Sequence, residues 1–137
     1  FIEFMRDLGN YIGERDLVIS IENNSKKYNC NFLNTITEIG EMCELINHKN
    51  IKIMIDLGNC IMEDDEIDDI LKYPKLINHI HISVPYMKDF IDYNEEKYIK
   101  FKLLLQKINY NKIISLEFLN NSNLEYLNKS LSNFTKL

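Results

Sequence analysis

The chain has 137 residues, room for one modest domain, and 45% of them are hydrophobic against 27% charged, the balance of a soluble globular fold. A formal net charge of −5 argues against a nucleic-acid-binding surface, which needs a basic stripe. No apolar run approaches the roughly 18–20 residues that span a bilayer, and no secretory leader is visible, though a trimmed N-terminus would hide one.

Phe1 to Glu14 places apolar residues at 1, 4, 5, 8, 11 and 12, which is helical spacing. The start at Phe1, directly in that pattern, is the expectation for a fragment or a processed or trimmed chain. Leu17 to Glu22, "LVISIE", is a short apolar run ending in a carboxylate and predicts a buried strand. After the polar loop "NNSKKYNCN", Thr35 to Asn47 predicts a second helix, with Ile36, Ile39, Met42, Cys43 and Ile46 on one stripe. Ile51 to Asp56, "IKIMID", predicts a second strand, and Gly58 is expected to open the loop after it. Asp64 to Tyr73 predicts a short acidic helix stopped by Pro74. "INHIHIS" predicts the third strand, Asn94 to Ile108 a long helix, and "KIISLEF" a fourth strand ending near Glu117. A last helix is expected at about Leu124 to Leu131.

Apolar strands alternating with helices predict parallel βαβ units in a single α/β domain, residues 1–137. The glycine-rich fingerprint of a dinucleotide fold is missing after every strand, so a barrel, or half of one, is favoured over a doubly wound sheet. Cys30, Cys43 and Cys60 are odd in number, far apart and without a CxxC pair, which predicts reduced thiols and a cytoplasmic location. His48, near a helix end, is expected to face solvent.

The four strands end in Glu22, Asp56, His81 and Glu117, each a metal-ligand type at nearly the same offset. In a parallel barrel all carboxyl ends of the strands lie at one mouth, where the active site sits. Two glutamates, an aspartate and a histidine aimed at one point suit a hard or borderline dication: Mn²⁺, Mg²⁺, Co²⁺ or Zn²⁺. Three crowded carboxylates without a cation would raise one another's pKa. A lone carboxylate at a strand end is usually a loop cap, and a lone histidine in a strand is usually structural. Four such residues, one per strand, are hard to obtain by chance. His79 shares a face with His81 one step deeper and is expected to pack or hydrogen-bond behind it.

These segments resemble the C-terminal half of the sugar phosphate isomerase/epimerase family, the xylose isomerase-like TIM barrels. "ISIENNSKKYNCNFLNT" is similar to that family's Glu-ended strand and its Tyr-x-Cys-x-Phe loop, and "NIKIMIDLGN" to its Asp-containing strand. "HIHISVPYMKDF" resembles its His-x-His-x-Ser segment and "INYNKIISLEF" its closing Glu segment. The resemblance implies an eight-stranded (β/α)8 barrel of which this chain supplies about four strands. It also implies that Glu22, Asp56, His81 and Glu117 bind the metal, with Glu22 and Glu117 as the catalytic acid and base. Asn59 stands where many relatives have a histidine, Val84 where many have an acid, and Lys88 is the cation nearest the place of an arginine.

The implied activity is a metal-dependent isomerisation or epimerisation of a sugar or sugar phosphate. One glutamate takes the proton α to a carbonyl and the other returns it through an enediolate. Asn24, Asn59 and Lys88 are candidate substrate contacts, loop capping being the alternative for the two asparagines. Tyr28 and Tyr86 either wall the pocket or pack structurally. Two other readings stand beside this one: a non-catalytic or truncated half-barrel, and an endonuclease-type metallohydrolase of the same superfamily. Exposed strand edges in a half-barrel demand a partner, either a second copy or a missing N-terminal half.

Overall fold

The computed structural model describes residues 1–88, 95–119, 128 and 132. The helix expected at about Leu124 to Leu131 lies outside the described residues, apart from residue 128. In chain order the elements are α1 (Ile2–Gly13), β1 (Ile19–Glu22), α2 (Ile36–Ile46), β2 (Ile51–Asp56), α3 (Leu57–Met62), β3 (Ile77–Ile82), α4 (Glu95–Lys107) and β4 (Ile114–Leu116). Single 3₁₀ segments at Lys26–Tyr28, Ile67–Lys72 and Pro85–Met87 lie in the connections. The strands form one parallel sheet in the order β1-β2-β3-β4. This is a half-barrel, with helices against one face of a parallel sheet.

The core follows from the alternation of side chains along each strand. Ile51, Ile53 and Ile55 of β2 and Ile77, Ile80 and Ile82 of β3 are buried against the helices, where they meet Ile36, Ile39 and Ile46 of α2. The opposite face, carrying Lys52, Met54, His79 and His81, is only partly covered. β1 and β4 are the outer strands of the sheet, and large apolar residues stand exposed beside both, Leu17 and Val18 at one edge and Ile113 and Ile114 at the other.

Local chemistry sets the helix ends. Thr35 caps α2, its hydroxyl accepting from the Glu38 N–H at 3.2 Å, while the Glu38 carboxylate reaches back to the Asn34 N–H. Asn47 closes the same helix in the left-handed region at φ 48°. Arg6 of α1 donates to the carbonyls of Leu45 and Ile46 at 2.7 and 2.9 Å, tying α1 to the end of α2.

Three expectations are corrected. Gly58 does not open a loop: α3 starts at Leu57, directly after β2, with Asp56 as its N-cap. His48 does not face solvent freely but wedges between α1 and the start of β2. Its Nε2 lies 3.1 Å from Asn10 Oδ1, and its Nδ1 accepts from the Asn50 N–H at 3.2 Å. The acidic segment before Pro74 is a short helix as expected, but a 3₁₀ helix over Ile67–Lys72 and so shorter than Asp64 to Tyr73.

Candidate metal centre

One irregularity sets the register of the site. β2 and β3 pair Ile53 with Ile77 and then Met54 with His79, so Asn78 is an extra residue in the ladder. The slip places Asp56 opposite His81; an unbroken ladder would have set Ile80 there. His81 in turn pairs with Ser115, and Glu117, two residues on, shares its face.

At the carboxyl ends of the four strands, Glu22, Asp56, His81 and Glu117 each offer one ligand atom, and these atoms all lie within 4.8 Å of one another. His81 turns Nδ1 toward the carboxylates, 2.9 Å from Glu117 Oε2 and 3.5 Å from Glu22 Oε1. Asp56 is buried at 2% exposure, and its Oδ1 accepts from the Asn59 N–H at 2.6 Å and from Ser83 Oγ at 2.8 Å. Burial pushes the Glu22 carboxyl up to about 7, and the nearby negative Asp56 adds to this. Burial also raises Asp56, against the two hydrogen bonds that lower it. Three acidic oxygens and an imidazole nitrogen, one of the acids almost dry, form a donor set that a divalent cation fits and that self-repulsion otherwise strains.

Several positioning residues were not singled out by the sequence reading. Asn23 is fully buried. Its Oδ1 accepts from the Asp56 N–H at 2.9 Å, and its carbonyl accepts from Asn59 Nδ2 at 3.0 Å. It therefore joins the ends of β1 and β2. Ser83, whose hydroxyl holds Asp56, is itself held through its carbonyl by the Tyr98 hydroxyl of α4. Only the run of polar residues after Glu22 hints at Asn23, and only the Ser of the His-x-His-x-Ser segment hints at Ser83.

Gly58 completes this arrangement. A Cβ there would stand 2.2 Å from Ser83 Oγ and 3.0 Å from the Ser83 carbonyl oxygen. Gly58→Ala is expected to destabilise the fold by about 1–2 kcal/mol, the cost of overpacking less the gain in helix propensity. It should also push Ser83 off Asp56 and weaken Mn²⁺ binding. Thermal unfolding and a Mn²⁺ titration of the variant check both.

The remaining candidates are distributed as follows. His79 lies edge-on to the His81 ring with centroids 5.0 Å apart, and its Nε2 is 3.0 Å from Ser115 Oγ. Burial, and then His81, lower its pKa. Asn59 has its amide nitrogen committed to Asn23. Asn24 closes the loop after β1: its N–H donates to the Leu33 carbonyl, its own carbonyl accepts from Asn34, and its Oδ1 is buried without a hydrogen-bond partner. Lys88 is exposed, three residues after Pro85. Tyr28 and Tyr86 meet edge-to-face at 6.4 Å. Tyr86 and Met87 both adopt left-handed backbone, φ 63° and 55°, at a cost of about 1–2 kcal/mol each for side chains of this kind.

The family model described as xylose isomerase-like TIM barrel matches residues 1–136. The chain belongs to that family. Among curated proteins nothing matches it. This TIM-barrel chain is similar to 3-keto-D-glucoside 4-epimerase YcjR from E. coli at 15% identity and a TM-score of 0.86, over 99% of this chain and 52% of that one. It is similar to D-psicose 3-epimerase from Clostridium cellulolyticum at 15% identity and a TM-score of 0.82, over 98% and 53%. It is also similar to a family 2 AP endonuclease from Brucella melitensis at 18% identity and a TM-score of 0.82, over 99% and 52%. At these identities the likeness is one of fold. The chain spans about half the length of the structures it matches. No helix among the described residues is long and apolar enough to cross a membrane.

Proposed function

We propose that this family member supplies the metal-binding half of a divalent-metal-dependent sugar or sugar phosphate isomerase/epimerase. One observation carries the reading: Glu22, Asp56, His81 and Glu117 converge within 4.8 Å at the carboxyl ends of four consecutive parallel strands. Those four residues would hold Mn²⁺, Mg²⁺, Co²⁺ or Zn²⁺. A bound dication supplies Lewis-acid stabilisation of negative charge on the substrate oxygens.

The protein's own groups do the proton work. Glu22 ends one outer strand and Glu117 directly follows the other, so in the sheet order they lie on either side of Asp56 and His81. Each therefore reaches a bound hydroxyketone from its own side. One carboxylate takes the proton from the carbon α to the carbonyl, leaving an enediolate, and the other returns a proton. Return to the opposite face of the same carbon is epimerisation; return to the neighbouring carbon is isomerisation. Asp56, fixed by Ser83 and the Asn59 N–H, and His81, fixed by its register, hold the site's shape while the glutamates act. Asn24, Asn59 and Lys88 remain candidate contacts to the sugar. The apolar residues exposed beside β1 and β4 are the surfaces that the rest of a barrel, from the same protein or from a second copy, would cover.

The barrel of an AP endonuclease is also similar, but the net charge of −5 and a donor set of three carboxylates with one imidazole favour a neutral or hydroxylated small substrate over DNA. The test is exchange in D₂O. The Mn²⁺-loaded protein should put deuterium on the carbon α to the carbonyl of at least one ketose in a panel of ketopentoses and ketohexoses, with the epimer or aldose appearing alongside. Absence of exchange across the panel, together with salt-sensitive cleavage of abasic DNA, would replace this reading with the endonuclease one.

A further inference from the structure

The connections leaving β1 and β3 meet above the end of β2, the strand that carries Asp56. Tyr28 follows Glu22 by six residues and Tyr86 follows His81 by five. Their rings contact edge-to-face, 6.4 Å between centroids and 80° between planes, although both residues remain substantially exposed, at 40% and 52%. Two large aromatics left in solvent beside a polar cluster contribute little to the core.

Both are nonetheless rigidly placed. The turn that carries Tyr28 is anchored to the end of α3, where Glu63 Oε1 accepts from Ser25 Oγ at 2.6 Å and from the Lys26 N–H at 2.8 Å. Tyr86 follows Pro85 in a turn closed by the Met87 N–H donating to the Val84 carbonyl at 2.8 Å. Its left-handed backbone is one that a bulky side chain rarely adopts without a surrounding structure that forces it. Strain retained to present an exposed ring next to a site is a mark of function rather than of packing.

We infer that Tyr28 and Tyr86 form an aromatic lip over the carboxylate cluster that selects the substrate by the C–H face of a sugar of five or six carbons. This rests on the sugar-directed reading of the site and adds to it a specificity-determining contact. The C–H groups beyond the reacting carbons give such a sugar an apolar surface that lies against a tyrosine ring. A three-carbon hydroxyketone has the same reacting groups but no such face, so the lip discriminates by size without touching the reacting carbon. The proximity of the lip to the cluster is also felt electrostatically: after burial, the negative Asp56 is the next cause that raises the Tyr28 phenol.

The test is calorimetry on the protein, first with Mn²⁺ alone and then with D-fructose, D-psicose, D-tagatose or dihydroxyacetone added to the Mn²⁺-loaded form. Tyr28→Ala, Tyr86→Ala and Tyr86→Asn are compared with Tyr28→Phe and Tyr86→Phe. The Asn variant removes the ring but tolerates the left-handed backbone, which separates loss of the lip from collapse of its turn. Ring removal should weaken binding of the best hexulose about tenfold, while the Phe variants bind nearly as the parent and dihydroxyacetone and Mn²⁺ affinities stay unchanged. Equal hexulose binding by the parent, Tyr28→Ala and Tyr86→Asn overturns the lip while leaving the metal site standing, as does a parent that binds Mn²⁺ but no hexulose. Failure of the parent to bind Mn²⁺ removes the reading on which the lip rests, and the lip with it.

Discussion

Glu117→Gln is expected to lower turnover of the active protein by roughly 10²–10⁴-fold, the usual contribution of a positioned acid or base. Its fold should stay nearly intact. Glu117 lies at the rim of the cluster, with its side chain 39% exposed, and its backbone N–H keeps the bond to the Ile82 carbonyl at 2.9 Å whatever the side chain. Glutamine matches glutamate in size and still offers an oxygen to His81 Nδ1, but it cannot carry a proton between two carbons. Glu22→Gln should fall by a similar factor. The double variant should lose little more than either single one, because an acid and a base that act in sequence fail together. Deuterium exchange distinguishes the two: the variant that lacks the abstracting base should show no wash-in at all. Turnover retained with both glutamates replaced would exclude proton transfer by this pair.

The strand ends were legible because a ligand-type residue stands at or next to the end of each apolar run, and a parallel fold leaves such residues nowhere to go but one mouth. The half-barrel was legible from isoleucine-rich runs alternating with helical ones, although β1, read as a buried strand, is half-buried throughout because it lies at the sheet edge. What held the site together was not. Gly58 reads as a loop signal, yet its backbone is helical and the residue is there because Ser83 passes too close for any side chain. The extra residue at Asn78 is invisible in "INHIHIS", because a bulge is a property of two strands pairing and not of either alone. Asn23 looks like one polar loop residue among several and is instead fully buried, its amide spanning two strand ends. Each of these depends on what a residue faces across the fold, which composition and spacing do not encode. The left-handed backbone of Tyr86 belongs with them, since no local preference of tyrosine favours it.

Adding Mn²⁺ should raise the melting temperature strongly at pH 8 and only weakly near pH 5, and the metal-free protein should show the opposite trend. Consider first the protein without metal. Glu22 titrates at about 7 in the folded chain against 4.5 unfolded, so between those values the folded state holds a proton that the unfolded state has released. Its contribution to stability is fully present below about pH 4.5 and is lost as the pH rises through about 7. Asp56 shifts in the same direction. The metal-free fold should therefore melt lower at pH 8 than at pH 5. A cation reverses the balance. It requires the deprotonated carboxylates, so its affinity rises over the same interval and binding releases protons. At a hundred times its dissociation constant, a ligand that binds only the folded state adds about 2.7 kcal/mol. Asp56→Asn separates the two effects. Asparagine still caps α3 and still accepts from Ser83, so the fold should persist. With one negative charge gone from beside Glu22, the metal-free variant should melt higher than the parent at pH 8, while the response to Mn²⁺ disappears. Melting curves at pH 5 and pH 8, with Mn²⁺ or with chelator, give all four values for each protein. A parent whose melting temperature at pH 8 is indifferent to Mn²⁺ would mean that the four strand ends converge for some purpose other than holding a cation.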